Sequence, residues 1–280
     1  MNKRIYFDAC SLGSLYRKRN SFELKRITNK FEVCLSLLNI FELLVYKNVV
    51  LRDKLLKFYN KLNNKNYLPL DFPLDLLKKF YLGYKSGQKN VNWGNSEIGE
   101  TSLAYLENPT AIKANEINSV EKYLEDTKKF FRIAGESSRK RPFVKEMFKN
   151  KNEPKNIGEF LELALNSDSI LTELFEETIQ FLGVKDYKKE EGIFFIKKVE
   201  PWLFFWGAYF GGIYNQTFKR EYNPNPDIID ISQAIYLGAC DYFITDDIAL
   251  FSLLENLNKL DFVKKKRIIL RSEEFLKTLY

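Results

Sequence analysis

Short apolar segments alternate with segments of helical periodicity at both ends of the chain. Four segments have the apolar, β-prone composition that predicts strands: residues 3–8, 31–35, 241–245 and 267–270. Four others have the apolar spacing or the start signals of helices: residues 9–16, 37–46, 51–62 and the segment that begins at Ser272. This alternation favours an α/β fold with a central parallel sheet and right-handed crossovers.

The middle of the chain has a different pattern. Residues 64–219 are mostly helical in periodicity and rich in charge. Loops are predicted over residues 83–99 and 153–158. Residues 159–182 have the spacing of an amphipathic helical region. We therefore assign residues 1–63 and 220–280 to one α/β unit, and the middle to a mostly helical insertion or cap.

An aromatic run, WLFFWGAYFGGIY, lies at the end of that middle block. The run from Trp202 to Tyr214 is too short to span a bilayer and contains three glycines. Its spacing favours a helix packed in the core. The alternative is a set of rings, with Trp93 among them, that stack on unpaired bases.

The densest group of acids lies near the C-terminus. A helical pattern begins at Asp227, and Gly238 is placed to end that helix. Asp230 lies three positions after Asp227, on the same face of the first turn. The strand that follows delivers Asp246 and Asp247 at its carboxyl end, where ligands bind in open α/β sheets. Carboxylates gathered in this way repel one another, so we expect raised pKa values or a bound cation.

Two further acids lie in the N-terminal half of the α/β unit. Asp8 ends the first strand, and Glu42 lies on the apolar stripe of the helix over 37–46. A carboxylate on such a stripe costs energy unless it meets a charge or a metal. Helix capping is an alternative role for each aspartate. For Glu42 the alternative is a position at the edge of the apolar stripe, from which the side chain reaches solvent. Acids at several element termini that one sheet can bring to one edge favour a shared site.

Composition limits the chemistry. The chain has 280 residues, of which 45% are hydrophobic and 29% charged, and this is typical of a globular protein. It contains no histidine, which excludes Ser-His-Asp and Cys-His catalysis, histidine-bound zinc and histidine general bases. Any catalysis must use carboxylates, lysines, hydroxyls or a cofactor.

The net charge of +7 indicates a polyanionic partner. The basic clusters are Arg17–Arg19, Lys264–Arg267 and the group formed by Arg139, Lys140, Arg141 and Lys145. The last group is the candidate phosphate-binding patch, and a merely solvated face is its alternative. No signal peptide or membrane span is predicted, and the three cysteines (Cys10, Cys34, Cys240) are expected to be reduced core thiols of a cytoplasmic protein.

Four pieces of the sequence, in order, resemble the PIN-domain nuclease family. The opening RIYFDACSL is similar to the first strand of that family, which ends in an aspartate followed by small residues. SLLNIFEL is similar to its Ser, then Thr or Asn, then Glu-Leu helix. DIIDISQAIYLG resembles the acid-headed helix, and DYFITDD the strand that ends in Thr-x-Asp.

This resemblance implies a three-layer α/β/α fold and a metal-dependent nuclease that acts on RNA in preference to DNA. It implies Mg²⁺ or Mn²⁺ held by Asp8, Glu42, Asp227 and Asp247, which should converge at one sheet edge. Asp230, Asp246 and Thr245 would support them. Two such ions activate a water molecule and stabilise the leaving oxygen of a phosphodiester. Proteins of this kind are often toxins or defence effectors that a partner protein inhibits.

Besides a nuclease directed at DNA, two other interpretations of the sequence remain. One is a non-catalytic interaction protein on a PIN-like scaffold, with the helical block as its working part. The other is a phosphatase of the haloacid dehalogenase type, which also opens with an aspartate at the end of a strand. That type requires a second aspartate two positions later, where this chain has Cys10.

Overall fold

A parallel β-sheet forms the centre of the fold. The computed structural model describes residues 3–18, 21–63, 67–94, 97–113, 115–127, 154–218 and 231–280. Within these residues, the sheet has the strands β1 (Lys3–Phe7), β2 (Phe31–Cys34), β3 (Tyr242–Ile244) and β4 (Ile268–Leu270). Their spatial order is β2-β1-β3-β4, and every pair is parallel. The four predicted strands and the parallel sheet are thus confirmed.

Helices surround this sheet, an arrangement consistent with three layers. Those of the N-terminal region are α1 (Ala9–Lys18), α2 (Ser21–Lys30), α3 (Leu37–Leu44) and α4 (Val49–Leu62). Those of the middle are α5 (Pro73–Lys85), α6 (Glu97–Glu107), α7 (residues 115–127), α8 (Ile157–Leu165), α9 (Asp168–Phe181), α10 (Glu191–Lys198) and α11 (Glu200–Phe218). Two more lie near the C-terminus: α12 (Ile248–Lys259) and α13 (Ser272–Lys277).

Side-chain caps explain where several of these helices begin. The Ser36 hydroxyl accepts a hydrogen bond from the Asn39 backbone N–H, and α3 starts one residue later, as predicted. Asn48 caps α4 in the same way, through the N–H of Leu51. Pro73 stands in the first turn of α5, where its missing N–H costs no helical hydrogen bond.

The amphipathic region over 159–182 is two helices rather than one. Helix α8 stops at Leu165, and Asn166 is its C-terminal cap. Ser167 is in extended conformation and precedes the first residue of α9. Asparagine and serine favour such local caps over a helix interior, because their side chains compete for backbone hydrogen bonds.

The segment after Asp227 was predicted as an α-helix that Gly238 ends, and its described part is different. Residues 233–239 form a 3₁₀-helix (Gln233–Ala239), and Gly238 lies inside it without a positive φ angle. A Cβ at Gly238 would lie 2.9 Å from the Trp93 ring. The glycine therefore permits close packing and does not cap the helix.

The aromatic run is core, as expected. Every residue from Trp202 to Tyr214 is buried in α11, which packs against α12 and the 3₁₀-helix. These rings are therefore not available for stacking on bases.

Cys34 and Cys240 are buried free thiols, but Cys10 is exposed, so the expectation of three core thiols is wrong for that residue. No helix within the described ranges is long and apolar enough to cross a membrane.

Candidate functional site

The topology of the sheet has a switch point between β1 and β3. After β1 the chain continues to β2 on one side, and later it returns to β3 on the other side of β1. The two connections diverge at the carboxyl ends of these neighbouring strands, which is where open α/β sheets bind ligands. Asp8 follows β1 at this point, and Thr245, Asp246 and Asp247 follow β3.

Asp8 is the most deeply buried of these acids, with 2% of its surface exposed. Its Oδ2 accepts a hydrogen bond of 2.5 Å from the Thr245 hydroxyl, and its Oδ1 accepts one of 2.7 Å from the Ser11 backbone N–H. Burial raises the pKa of the Asp8 carboxyl to about 6, although the hydrogen bonds from Thr245 and Ser11 oppose the rise. The ionised carboxylate is therefore one that a cation would stabilise.

Thr245 joins Asp8 to Asp247. The Thr245 side chain is fully buried, and its hydroxyl accepts a hydrogen bond of 3.1 Å from the Asp247 backbone N–H. The Asp247 carboxylate accepts one of 2.6 Å from the Leu250 N–H and so caps α12. One hydroxyl thus links the Asp8 carboxylate to the Asp247 backbone at the sheet edge.

Asp246 contacts the other neighbouring element. Its Oδ1 accepts a hydrogen bond of 2.9 Å from the Ser272 N–H, at the start of α13. Burial would raise the pKa of this carboxyl, but hydrogen bonds from Ser14 and Ser272 outweigh burial and lower it. Asp246 thus ties the end of β3 to α1 and α13.

The capping alternatives describe real contacts. Asp8 accepts the N–H of the third residue of α1, and Asp247 does the same in α12. A cap fixes the direction of a carboxylate, since one of its oxygens is held by the helix. Capping and ligand binding are therefore compatible roles for both acids.

Glu42 lies on α3 and is half-buried. It is close enough to the Tyr6 phenol to affect it: the pKa of Tyr6 is raised by burial first, then by Tyr236 and Tyr59, and also by the charge of Glu42. Tyr6 lies on β1, two residues before Asp8.

A buried polar cluster lies beneath this edge. We call the side chains of Tyr6, Ser36, Asn39, Gln233 and Tyr59 the Tyr6 cluster; each is at most 1% exposed. The Tyr6 hydroxyl lies 3.1 Å from the Ser36 hydroxyl, 3.1 Å from the Asn39 amide oxygen and 3.0 Å from that of Gln233. The Asn39 nitrogen donates to the Phe7 carbonyl at 2.6 Å, next to Asp8. Tyr59 accepts from the Ser36 N–H at 3.1 Å.

Some predicted site residues lie outside the described part of the chain. These are Asp227, Asp230 and the basic group Arg139, Lys140, Arg141 and Lys145. Among the residues that the structure does describe, no group of three or more Asp, Glu or Cys side chains is arranged to hold a metal ion. The predicted convergence of four acids therefore stays a prediction: Asp8 and Asp247 follow neighbouring strands and are linked through Thr245, and Glu42 lies on α3.

Sequence reasoning missed one acid at this edge. Leu70 forms an isolated parallel bridge with Ser36, so it extends the sheet by one residue beyond β2. Asp71 follows directly; it is 1% exposed and forms an ion pair with Lys79. The available signal was an apolar segment that ends in an acid before a proline-started helix, which resembles the setting of Asp8. The segment was too short to predict as a strand.

Comparisons with protein-family models, with curated proteins and with solved structures find no match for this chain. The described residues define an α/β protein with a parallel sheet and an acidic carboxyl edge. Any functional conclusion therefore depends on the residues of that edge and on the motif resemblance alone.

Proposed function

We propose that this protein is a metal-dependent nuclease that hydrolyses phosphodiester bonds in RNA. The observation that carries the proposal is the hydrogen-bond chain at the switch point of the sheet, in which the Thr245 hydroxyl links the Asp8 carboxylate to the Asp247 backbone. Both acids stand where the PIN-type motifs place metal ligands. A chain with a net charge of +7 and acids gathered at one sheet edge suits a polyanion that is handled through cations.

The donor atoms at this edge suit a hard cation. Mg²⁺ prefers oxygen ligands and is commonly held by one or two carboxylates together with water. Asp8 and Asp247 supply such carboxylates, and Glu42 and Asp227 would complete the set that the resemblance implies. The bound ion would supply Lewis acidity and an activated water for attack on phosphorus.

The residues of the chain have separate tasks in this proposal. Asp8 is held by Thr245 and Ser11, so its carboxylate has a fixed direction before any cation binds. Asp247 is fixed in the same way by its cap on α12. Such preorganisation lowers the cost of assembling a charged site.

A cleavage assay tests the proposal. Purified protein is incubated with Mn²⁺ or Mg²⁺ and with labelled RNA, single-stranded DNA and double-stranded DNA. We expect metal-dependent cutting of RNA, abolished by chelator, by Asp8→Asn and by Asp247→Asn. Asp241→Asn is the matched control, because Asp241 lies at the opposite end of β3 and contacts Lys265 and the Arg4 backbone.

The controls decide between the remaining readings. If the protein cuts DNA but not RNA, the proposed nuclease activity is supported and the proposed RNA substrate is rejected. If neither nucleic acid is cut, or if Asp8→Asn and Asp241→Asn cut equally well, the proposal is wrong. Absence of Mn²⁺ binding in calorimetry would then favour the non-catalytic interaction protein.

A further inference from the structure

One hydroxyl connects three segments of the fold, two of which place proposed acids. Tyr6 lies on β1, two residues before Asp8. Its hydroxyl contacts Ser36, the cap residue of α3, and that helix carries Glu42. It also contacts Gln233, which begins the 3₁₀-helix six residues after Asp227.

We propose that the Tyr6 hydroxyl is a positioning group that sets the relative placement of β1, α3 and the segment over 231–239, and thereby of the carboxylates of Asp8, which follows β1, and Glu42, which lies on α3. This inference rests on the proposed function. Tyr6 does not itself touch a substrate in this scheme, since it is fully buried. It acts through the backbone of β1 and α3, as groups behind the ligands of metal sites do.

The hydrogen-bond directions in the cluster follow from counting protons. A phenol has one proton to donate. The orientation of Asn39 is fixed because its nitrogen donates to the Phe7 carbonyl, so its oxygen faces Tyr6 and accepts the phenol proton. Because the phenol proton is then used, we assign the Gln233 amide nitrogen, and not its oxygen, to the position 3.0 Å from the Tyr6 hydroxyl; the two ends of an amide have nearly the same shape.

Ser36 completes the arrangement. Its oxygen accepts from the Asn39 N–H at 3.1 Å, which leaves its proton for the Tyr6 oxygen. Tyr6 thus donates once and accepts twice, and its capacity is fully used. A fully satisfied buried network specifies one geometry, because any shift leaves a buried polar group unpaired.

The matched pair Tyr6→Phe and Tyr81→Phe separates positioning from ordinary stability. Tyr81 is also fully buried, and its hydroxyl bonds to Glu191 and to the Asp186 carbonyl in the helical block. Both variants lose a buried hydroxyl with its bonds. We expect Tyr6→Phe to weaken Mn²⁺ binding of the full chain by about tenfold or more, with a parallel loss of cutting. Tyr81→Phe should stay within about twofold of the wild type, since its bonds lie away from the acids.

A second readout does not depend on metal. Hydrogen exchange of metal-free protein should be faster in α3 and in residues 231–239 of Tyr6→Phe, relative to Tyr81→Phe at equal global stability. Gln233→Glu should resemble Tyr6→Phe, because a carboxylate cannot donate to the phenol oxygen.

Each outcome has a clear meaning. Equal Mn²⁺ affinities and equal exchange in the two tyrosine variants overturn the inference. If the wild type binds no Mn²⁺, the proposed function fails, and exchange alone decides: local acceleration in Tyr6→Phe supports the positioning role, and uniform acceleration refutes it. Wild-type behaviour of Gln233→Glu would refute the assigned hydrogen-bond directions and with them the three-way connection.

Discussion

Thr245→Val removes the hydroxyl that joins the two acids of the sheet edge. Valine has nearly the shape of threonine, so packing in this fully buried position is preserved while both hydrogen bonds are lost. Asp8 then lacks the 2.5 Å bond to its Oδ2, and the Asp247 N–H lacks its acceptor. The change therefore isolates the polar contribution of one oxygen atom.

The expected cost follows from these two bonds. A hydrogen bond to a buried charged group is worth roughly 1.5–3 kcal/mol, and an unpaired N–H adds up to about 1 kcal/mol at a half-buried position. We expect Thr245→Val to lower the free energy of unfolding by about 2–4 kcal/mol at pH 8 in chelator. Urea denaturation followed by fluorescence measures this difference.

The pH dependence of this cost is a further signature. The pKa of Asp8 is raised in the fold to about 6, so the stability linked to this group is fully present below its ordinary pKa near 3.8 and is lost as pH rises through 6. For the wild type this loss amounts to about 3 kcal/mol, at 1.36 kcal/mol for each pKa unit. Below pH 5 Asp8 is mostly protonated, and the Thr245 bond becomes one between neutral groups, worth about 1 kcal/mol. The cost of Thr245→Val should therefore shrink to about half between pH 8 and pH 4.5.

Thr178→Val is the matched control for this experiment. Thr178 is also a buried threonine, but its hydroxyl donates to the Leu174 carbonyl of its own helix, at 2.6 Å. Its replacement should cost about 1 kcal/mol or less, at every pH. Equal costs for the two variants, or a cost of Thr245→Val that does not change with pH, would refute the account of Asp8 as a buried, ionised carboxylate held by Thr245.

Two other predictions concern stability elsewhere. Burial opposes ionisation of Asp241, but hydrogen bonds from Lys265 and the Arg4 backbone lower its pKa, so its stabilisation is present above pH 4 and is lost as pH falls through the lowered pKa. Asp241→Asn should cost up to about 1 kcal/mol at pH 7 and less at acidic pH, in urea titrations at both pH values. Gly13→Ala should stabilise α1 by about 0.5–1 kcal/mol, because nothing lies within 4 Å of the added methyl group. Gly192→Ala should destabilise the protein by about 1–3 kcal/mol, because its methyl group would lie 2.5 Å from the Cβ of a phenylalanine. Thermal melts in which both variants are more stable, or both less stable, than the wild type would contradict this.

The sheet was predictable because its signals are local. Each strand is a short apolar segment, and Ser36 and Asp247 are strong cap residues immediately before their helices. The acids at the ends of β1 and β3 could be placed together because parallel strands end at a common edge. A local signal cannot show which group each side-chain oxygen bonds to. The Thr245 hydroxyl, for example, donates to Asp8, which lies 237 positions away in the sequence.

The Tyr6 cluster could not be found from the sequence. A tyrosine in a strand has the pattern of a half-buried apolar residue, and Gln233 has that of a surface amide. Their meeting depends on how β1, α3 and the 3₁₀-helix pack. The same limit applies to Asp71, since its place at the sheet edge depends on a single bridge between Leu70 and Ser36.

The helical block and the sheet both hold the segment that follows Asp227. From the sheet side, Tyr6 contacts Gln233. From the side of the block, the Tyr236 hydroxyl donates to the Asp71 carbonyl at 2.9 Å, and the Trp93 ring packs on Gly238. Two hydrogen bonds and one close packing contact therefore hold the 3₁₀-helix in place, and α11 also packs against it. Because buried polar contacts allow few alternatives, a change in the helical block at these contacts should disturb the acidic edge even where the strands are intact.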